Sequence, residues 1–134
     1  MLHDGPKYSP DSFIQDCLRS LGIACLSDWD VLIFVYRHKA NLSSADQLAR
    51  LLGYSSKVVG VSLDRLESQS LIQRSRYSQG VRFYELAPSV VPVAAESCLG
   101  QLISLSGTRA GRLVLVRLLK QSNGIHIAAK GRSK

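Results

Sequence analysis

Apolar residues recur at helical spacing in the first half of the chain, with polar residues on the opposite face. Four segments show this pattern: residues 11–21, 27–36, 44–53 and 56–69. The second segment is apolar nearly all round, which predicts a helix in the middle of the core. Ser27 and Asp30 have the spacing of a capping box, so we expect Ser27 to begin that helix. Ser44 and Gln47 predict the same start for the third helix, and Gly53 predicts its end.

The hydrophobic period shortens from 3.6 residues to 2 after the fourth helix. Residues 71–77 and 81–86 each alternate between apolar and polar side chains, which is typical of half-buried strands. Ser78-Gln79-Gly80 lies between them and has the composition of a tight turn. We therefore expect a β-hairpin, with Tyr84 and Leu86 facing the core.

Two further helices are predicted after a break bracketed by Pro88 and Pro92. They span about residues 93–106 and 108–121, and Thr108 can cap the second of them. The apolar stripe of the first contains Ala95, Cys98, Leu99, Leu102 and Ile103.

The last predicted element has two interpretations. As a helix it would turn Leu113, Val116 and Leu119 inward. The apolar run 113–116 fits a β-strand as well, so both remain open. Residues 122–134 contain few apolar side chains and end in basic residues, which predicts a flexible tail.

Composition restricts the class of protein. The 134 residues are 46% hydrophobic and 20% charged, which excludes general disorder. No run approaches the ~18 apolar residues of a membrane span, and no secretory signal is evident. Cys17, Cys25 and Cys98 are odd in number and form no C-x-x-C pair, which favours a reducing compartment. We expect a cytoplasmic protein that does not bind membranes.

Positive charge is concentrated toward the C-terminus. The net charge is +7, and residues 87–134 contain seven basic side chains and one acidic one. Residues 1–49 contain four basic and six acidic side chains. This distribution indicates an anionic partner, for which nucleic acid is the commonest candidate.

The predicted order of three helices and a hairpin is that of a winged helix-turn-helix. A short turn between two steeply crossing helices needs a small residue in the first helix and a residue tolerant of positive φ in the turn. Ala49 and Gly53 meet these needs, and Val59 follows where the next helix first faces the core. This spacing resembles the helix-turn-helix of bacterial regulators. Ser62 departs from the pattern, since an aliphatic residue is usual there and Leu63 would take over its packing.

A second stretch extends the resemblance. Asp64-Arg65-Leu66-Glu67, followed by Leu71-Ile72 and Arg74, is similar to the end of the recognition helix and first wing strand of MarR-like regulators. Ser70 stands where those regulators carry a glycine. The resemblance covers roughly residues 27–87. It implies a mainly α fold with a small β-hairpin, namely a winged helix-turn-helix with extra N- and C-terminal helices.

The resemblance also implies which residues face double-stranded DNA. The outward face of the second helix of the pair would enter the major groove and the hairpin would contact the backbone or minor groove. The candidate residues are Ser55, Ser56, Lys57, Gly60, Val61, Asp64, Arg74, Arg76, Tyr77 and Arg82. A structural interpretation stays open for three of them: Lys57 as a solvated lysine, and Arg74 and Arg82 as cross-strand neighbours of Glu85.

In MarR-like regulators the terminal helices join two chains, so the resemblance implies a homodimer through residues 11–21 and 93–121. The alternative is that these helices only cover the core of the monomer. The expected organisation is an N-terminal segment and helix, a winged helix, C-terminal helices and a basic tail, at residues 1–26, 27–87, 88–121 and 122–134.

The expected function is sequence-specific binding of double-stranded DNA by a dimeric transcriptional regulator. The alternative is a winged helix that packs on protein in a chromosome-associated or scaffold complex. No G-x-S-x-G, phosphate-binding glycine loop or H-E-x-x-H is present, so we do not expect an enzyme. His3, His38 and His126 are scattered, so neither a metal nor another cofactor is expected. A small-molecule effector stays open as a further partner, and the sequence does not identify it.

Overall fold

The computed structural model describes the backbone of residues 10–38 and 42–132, and side chains from residue 11 to residue 120 within them. The helices of this part are α1 (Pro10–Leu21), α2 (Leu26–Arg37), α3 (Ala45–Leu52), α4 (Ser56–Ser68), α5 (Cys98–Ser106) and α6 (Arg109–Arg132). Its strands are β1 (Ser43–Ser44), β2 (Ile72–Ser78) and β3 (Val81–Leu86). The fold is therefore mainly α with a small antiparallel sheet, as the sequence predicts.

The chain divides into two compact units. One contains α1, α5 and α6, and the other spans Ser27–Val93. The core of the second unit is built around α2, whose Trp29, Val31 and Leu32 have no exposed surface. This burial explains why α2 is apolar on nearly every side.

The sheet of the second unit has the strand order β1-β3-β2, with both pairs antiparallel. Ser43 pairs with Tyr84 and Ser44 with Phe83, so β1 covers the outer edge of the hairpin. The sequence does not predict β1, because two serines are too short a segment to show an alternating pattern. Leu86 is buried as expected, whereas Tyr84 and Phe83 are both half-buried.

Gln79 and Gly80 alone form the hairpin turn, since Ser78 and Val81 are already paired. Their φ angles are 53° and 78°. Two successive positive φ angles are typical of the turns whose twist matches that of a hairpin. The predicted hairpin is confirmed, with its turn one residue shorter.

The start of α2 differs from the prediction. The helix begins at Leu26, so Ser27 lies inside its first turn rather than at its N-cap. The Ser27 hydroxyl is buried and bonds to Ser62 of α4. Ser27 therefore lies within α2 and contacts α4, rather than preceding the helix as its N-cap.

In the first unit, α5 begins five residues later than predicted. The Ser97 hydroxyl accepts a hydrogen bond from the backbone N–H of Gly100 at 3.0 Å, which places the N-cap at Ser97. Ala95 consequently lies outside the helix and is exposed, contrary to expectation. An N-cap hydroxyl satisfies one of the free N–H groups at a helix start, and this fixes the boundary.

The last element is a helix, so the strand interpretation of residues 113–116 is wrong. Thr108 Oγ1 accepts from the Gly111 N–H at 3.0 Å, as predicted for the cap. The buried stripe is Leu115, Leu118 and Leu119, whereas Leu113 is 60% exposed and Val116 is half-buried. The inward face of the helix therefore differs from the expected one at Leu113.

The backbone of α6 continues to Arg132, beyond the predicted end at Gln121. The flexible tail expected from residue 122 is thus helical in backbone through residue 132, and residues 133–134 lie outside the described part. No proline interrupts this segment.

Candidate nucleic-acid interface

The pair α3 and α4 is joined by a tight turn whose geometry follows from local sequence. Ser44 caps α3 through the backbone N–H of Gln47, and the Gln47 side chain returns to the Ser44 N–H, which confirms the capping box. Gly53 ends the helix with a φ of 82° and donates its N–H to the Ala49 carbonyl at 2.9 Å. This left-handed conformation is the one that glycine adopts without steric cost.

The leading turn of α4 is open to solvent. Ser56, Lys57, Val61 and Asp64 are exposed, and Val61 is 48% exposed although it is apolar. Gly60 lies on the same face, and no described atom lies within 4 Å of the place where its Cβ would be. The outward face predicted from the sequence therefore lies at the surface, with the backbone of the helix accessible at Gly60.

The opposite face of α4 packs into the core. Its fully buried side chains are Val59, Ser62, Leu63 and Leu66. Leu63 is buried, as expected for the residue that takes over packing beside Ser62. Ser62 itself is equally buried because its hydroxyl lies 2.8 Å from the hydroxyl of Ser27.

Both serines at the start of α4 already have hydrogen-bond partners. The Ser55 side chain accepts from the Val58 N–H at 3.1 Å, which makes Ser55 the N-cap. The Ser56 hydroxyl donates to Asp46 of α3 at 3.1 Å. Ser55 therefore serves first to shape the helix start, and any anion there would meet an acidic neighbour in Asp46.

The hairpin brings the predicted basic residues to the surface. Arg74 and Arg76 of β2 are exposed, and Tyr77 is 61% exposed. The guanidinium of Arg82 lies 4.8 Å from the centre of the Tyr77 ring, within range of a cation–π interaction. Arg82 of β3 therefore lies beside Tyr77 of β2, so this end of the hairpin is both basic and aromatic.

The structural alternative for Arg74 and Arg82, as cross-strand neighbours of Glu85, does not match the register: Glu85 lies opposite Gln73, and Arg82 is on the same strand as Glu85. Arg74 Nε lies 3.2 Å from Glu67 of α4. Glu85 accepts from the side chain of Gln73 at 2.6 Å. The Arg74–Glu67 pair therefore joins the hairpin to α4, half-exposed on the arginine side.

Comparison with known proteins shows which fold the chain shares with solved structures. No family model and no curated protein matches the sequence. Two solved structures match, both of point mutants of MepR from S. aureus. One, from a multidrug-resistant clinical isolate, has a TM-score of 0.50 at 16% identity and covers 81% of this chain and 75% of its own. The other, bound to an oligodeoxyribonucleotide, has a TM-score of 0.52 at 17% identity and covers 91% and 87%.

The chain has the winged-helix fold of these two structures. In this fold α3 and α4 are the helix-turn-helix pair, and β2 and β3 form the wing. The resemblance read from the sequence is therefore confirmed at the level of the fold.

The end of α4 explains one departure from the MarR-like pattern. Ser70, which replaces the usual glycine, has a φ of 61°. The Ser70 N–H bonds to the Glu67 carbonyl at 3.0 Å, and the Leu71 N–H bonds to that of Leu66 at 3.0 Å. These bonds satisfy the last carbonyls of the helix. The winged helix thus keeps the left-handed conformation here with a side chain present.

Sequence reasoning missed three polar contacts between the N-terminal part of α2 and the helix-turn-helix. Besides the Ser27–Ser62 bond, Arg65 Nη1 donates to both carboxylate oxygens of Asp28, at 2.8 and 2.9 Å. The hydroxyl of Tyr54, in the turn before α4, donates to Asp30 at 2.6 Å. The available signal was the cluster of polar residues at the start of an otherwise apolar helix.

The unit of α1, α5 and α6 has its own surface features. Phe13 is 44% exposed, beside a pocket of about 190 Å³ lined also by Ile14, Gln101, Leu102 and Leu105. In the same unit, burial raises the pKa of the Cys17 thiol to about 12, and a hydrogen bond with the Cys98 thiol acts in the same direction.

Across residues 10–38 and 42–132, no helix is both long enough and apolar enough to cross a membrane. Among the described side chains, those of residues 11–38 and 42–120, there is no cluster of three His, Cys, Asp or Glu residues suited to a metal ion.

Proposed function

We propose that this chain binds double-stranded DNA in a sequence-specific manner and acts as a transcriptional regulator rather than an enzyme. One observation supports this most strongly: the leading turn of α4 is exposed at the surface of a winged helix. A recognition helix contacts base edges through its N-terminal residues. The MepR mutant bound to an oligodeoxyribonucleotide supports the same assignment by its fold. Such a regulator would act in the cytoplasm.

The exposed face of α4 offers suitable chemistry for the major groove. Lys57 can bind a phosphate or the acceptor edge of guanine, and Val61 can contact a thymine methyl group. Asp64 can accept a hydrogen bond from the amino group of cytosine. Gly60 lets the backbone approach the groove closely. Ser55 and Ser56 lie at the helix start, where the first-turn N–H groups other than that of Val58 can hold a phosphate, although Asp46 is an acidic neighbour.

The wing supplies a second contact. Arg76, Tyr77 and the Arg82 beneath it lie at the end of the hairpin, where arginine suits phosphates or the minor groove. Arg74 is held by Glu67, so its contact with DNA would require that pair to open or to be shared. Arg82 is half-buried and its guanidinium donates to the Ser75 carbonyl at 3.4 Å, so we rank Arg76 above both Arg74 and Arg82 as a contact of the wing.

We further propose that the protein is a homodimer through residues 11–21 and 93–121. Phe13 and Leu113 are large apolar side chains that are 44% and 60% exposed. They belong to the same unit, and exposed apolar side chains there are suited to a second chain. Two recognition helices would then read a near-palindromic site in successive major grooves. Light scattering after size exclusion tests this, since a monomer at micromolar concentration would contradict it.

Selection from a random DNA library at a stated salt concentration tests the DNA-binding function. We expect one motif to converge, bound at least ~10³-fold more tightly than random duplex. A library that shows only salt-dependent binding without a motif would contradict sequence-specific recognition.

A second candidate function is favoured by the apolar side chains on the helix-turn-helix. Leu51 of α3 is 57% exposed, and Val58 and Val61 of α4 are 39% and 48% exposed. A winged helix that packs on protein would use such residues as its centre. Substituting Leu51 with Ser separates the two functions, because it would abolish a protein complex but leave the selected DNA motif unchanged.

A further inference from the structure

Polar side chains in the N-terminal part of α2 contact α4, and the turn that precedes α4, at three positions along the axis of α4. Asp30 holds Tyr54 before the helix, Ser27 holds Ser62 in its middle, and Asp28 holds Arg65 near its end. Each contact is short, between 2.6 and 2.9 Å. Apolar side chains of α4, namely Val59, Leu63 and Leu66, are buried in the core beside these polar contacts.

These polar contacts constrain α4 in a way that apolar packing does not. Burial of apolar surface is non-directional, whereas a hydrogen bond weakens steeply with misalignment. A one-residue shift along a helix moves it by about 1.5 Å and turns it by about 100°. Ser62 and Arg65 lie one turn apart, so both bonds form only at one rotation of α4 about its axis.

Stability alone gives a weak reason for the charged pair. The Asp28 side chain has no exposed surface, and that of Arg65 is 34% exposed. Removing such charges from water is costly, and replacing a buried pair with apolar residues is often neutral or stabilising. The best-supported role of a buried polar pair is to fix the register of packed elements.

We propose that Ser27 and Asp28 are positioning residues for DNA recognition. By holding Ser62 and Arg65, they set the rotation of α4 and thereby decide which side chains of its exposed face meet the bases. This inference rests on the proposed function of α4 as a recognition helix. It assigns base preference to two residues that are buried and cannot touch DNA themselves.

Two double variants test this, each removing both partners so that no buried polar group loses its partner in the pair. One combines Asp28→Leu with Arg65→Met, and the other combines Ser27→Ala with Ser62→Ala. Gln69→Ala is the matched control, because Gln69 is exposed at the C-cap of the same helix. The fluorescence of Trp29, the single and fully buried tryptophan, reports whether each variant is folded.

The quantity to compare is the ratio of affinities for the selected duplex and for random duplex at one salt concentration. We expect this ratio to fall by at least ~10-fold in the folded double variants, since misplacing one base contact has an effect of this order. Affinity for random duplex should stay within about threefold of wild type, because phosphate contacts do not depend on base identity. Gln69→Ala should leave both quantities unchanged.

A ratio within about twofold of wild type in every folded double variant would overturn the positioning role. If the double variant at Asp28 and Arg65 does not fold, the serine variant decides alone, since it removes only two oxygen atoms. A wild-type selection without a converged motif would remove the proposed function and this inference together. A converged motif that both folded variants retain would remove the inference alone.

Discussion

The hydroxyl groups of Ser27 and Ser62 lie 2.8 Å apart in the interior, although their residues are 35 positions apart in the chain. Ser62 occupies the position where MarR-like helices usually carry an aliphatic residue. Its polar side chain is tolerated there because Ser27 satisfies it. The departure at one position is thus explained by a partner on another helix.

This pair predicts non-additive effects on stability. Ser27→Ala and Ser62→Ala should each lower the free energy of unfolding by about 1–2 kcal/mol, because each leaves a buried hydroxyl without that partner. The double variant should lose less than the sum by about 0.5–1.5 kcal/mol, as measured by urea denaturation. Ser27→Ala with Ser68→Ala is the control and should be additive, since Ser68 is exposed. Additivity in the Ser27–Ser62 cycle would contradict the bond.

The end of α4 predicts a stabilising substitution. Ser70 has a φ of 61°, and a residue with a Cβ in this conformation costs roughly 1–2 kcal/mol. Ser70→Gly should therefore raise the free energy of unfolding by up to about 1 kcal/mol. Ser68→Gly, two residues earlier and helical, should lower it by a similar amount. Thermal denaturation of both variants checks the opposite signs, and a loss of stability in Ser70→Gly would contradict the explanation.

For the substitution Gly60→Ala we predict that stability rises while DNA affinity falls. Gly60→Ala should stabilise α4 by roughly 0.5–1 kcal/mol, because the helix prefers alanine and no described atom lies within 4 Å of the added Cβ. The same methyl group should weaken binding to the selected duplex if the backbone approaches the groove at this residue.

Gly53→Ala provides the contrast for Gly60. It should destabilise the protein by roughly 1–2 kcal/mol, since Gly53 has a φ of 82°.

Unchanged affinity of a stabilised Gly60→Ala protein would show that α4 does not meet DNA at Gly60.

The pKa of Cys17 predicts how stability depends on pH. Burial raises this pKa from 9.0 to about 12, and the Cys98 thiol adds to the effect, so the folded state favours the protonated thiol. Above pH ~9 the unfolded chain releases this proton while the folded chain retains it. The contribution is therefore complete below pH ~9 and is lost as pH rises toward ~12.

Urea denaturation of wild type and Cys17→Ala across this range isolates the effect from other titrating groups. Wild type should lose stability more steeply with rising pH than the variant. Parallel curves for the two proteins would contradict the pKa assignment.

Local signals made most of the fold predictable. The capping box of Ser44 and Gln47, the left-handed Gly53 and the alternation of residues 81–86 each involve residues close in sequence. Their structures follow from interactions that a short segment contains in full. Hence the order of helices and the hairpin could be predicted from the sequence.

Features that depend on contacts between residues distant in the sequence could not be predicted. Helix α2 begins at Leu26, and the partner of the Ser27 hydroxyl is Ser62, a residue 35 positions away that the local pattern does not indicate. The strand β1 exists only because the edge of β3 is available to it. The exposure of Leu113 depends on how α6 is rotated in its unit, which the apolar pattern alone does not fix.

The sequence predicts which face of α4 is exposed, but it does not predict which neighbouring side chains the interface residues contact. The exposure of Lys57, Val61 and Asp64 follows from the helical period. The Ser56–Asp46 and Arg74–Glu67 contacts do not, because they join different elements. The second contact pairs Arg74 with an acidic side chain, whereas Lys57 and Arg76 are the other exposed cations of the proposed surface.

The central claim is that the leading turn of α4 enters the major groove. Titration of the selected duplex with wild type and Lys57→Ala over a range of salt concentrations tests it most directly. Arg37→Ala is the matched control, because Arg37 is an exposed cation at the end of α2 outside the proposed interface. Lys57→Ala should weaken binding by roughly 5- to 150-fold if Lys57 reads a guanine, or lower the salt slope by about 1 if it binds a phosphate. If Lys57→Ala has the same affinity, motif and salt slope as wild type and Arg37→Ala, the claim is contradicted.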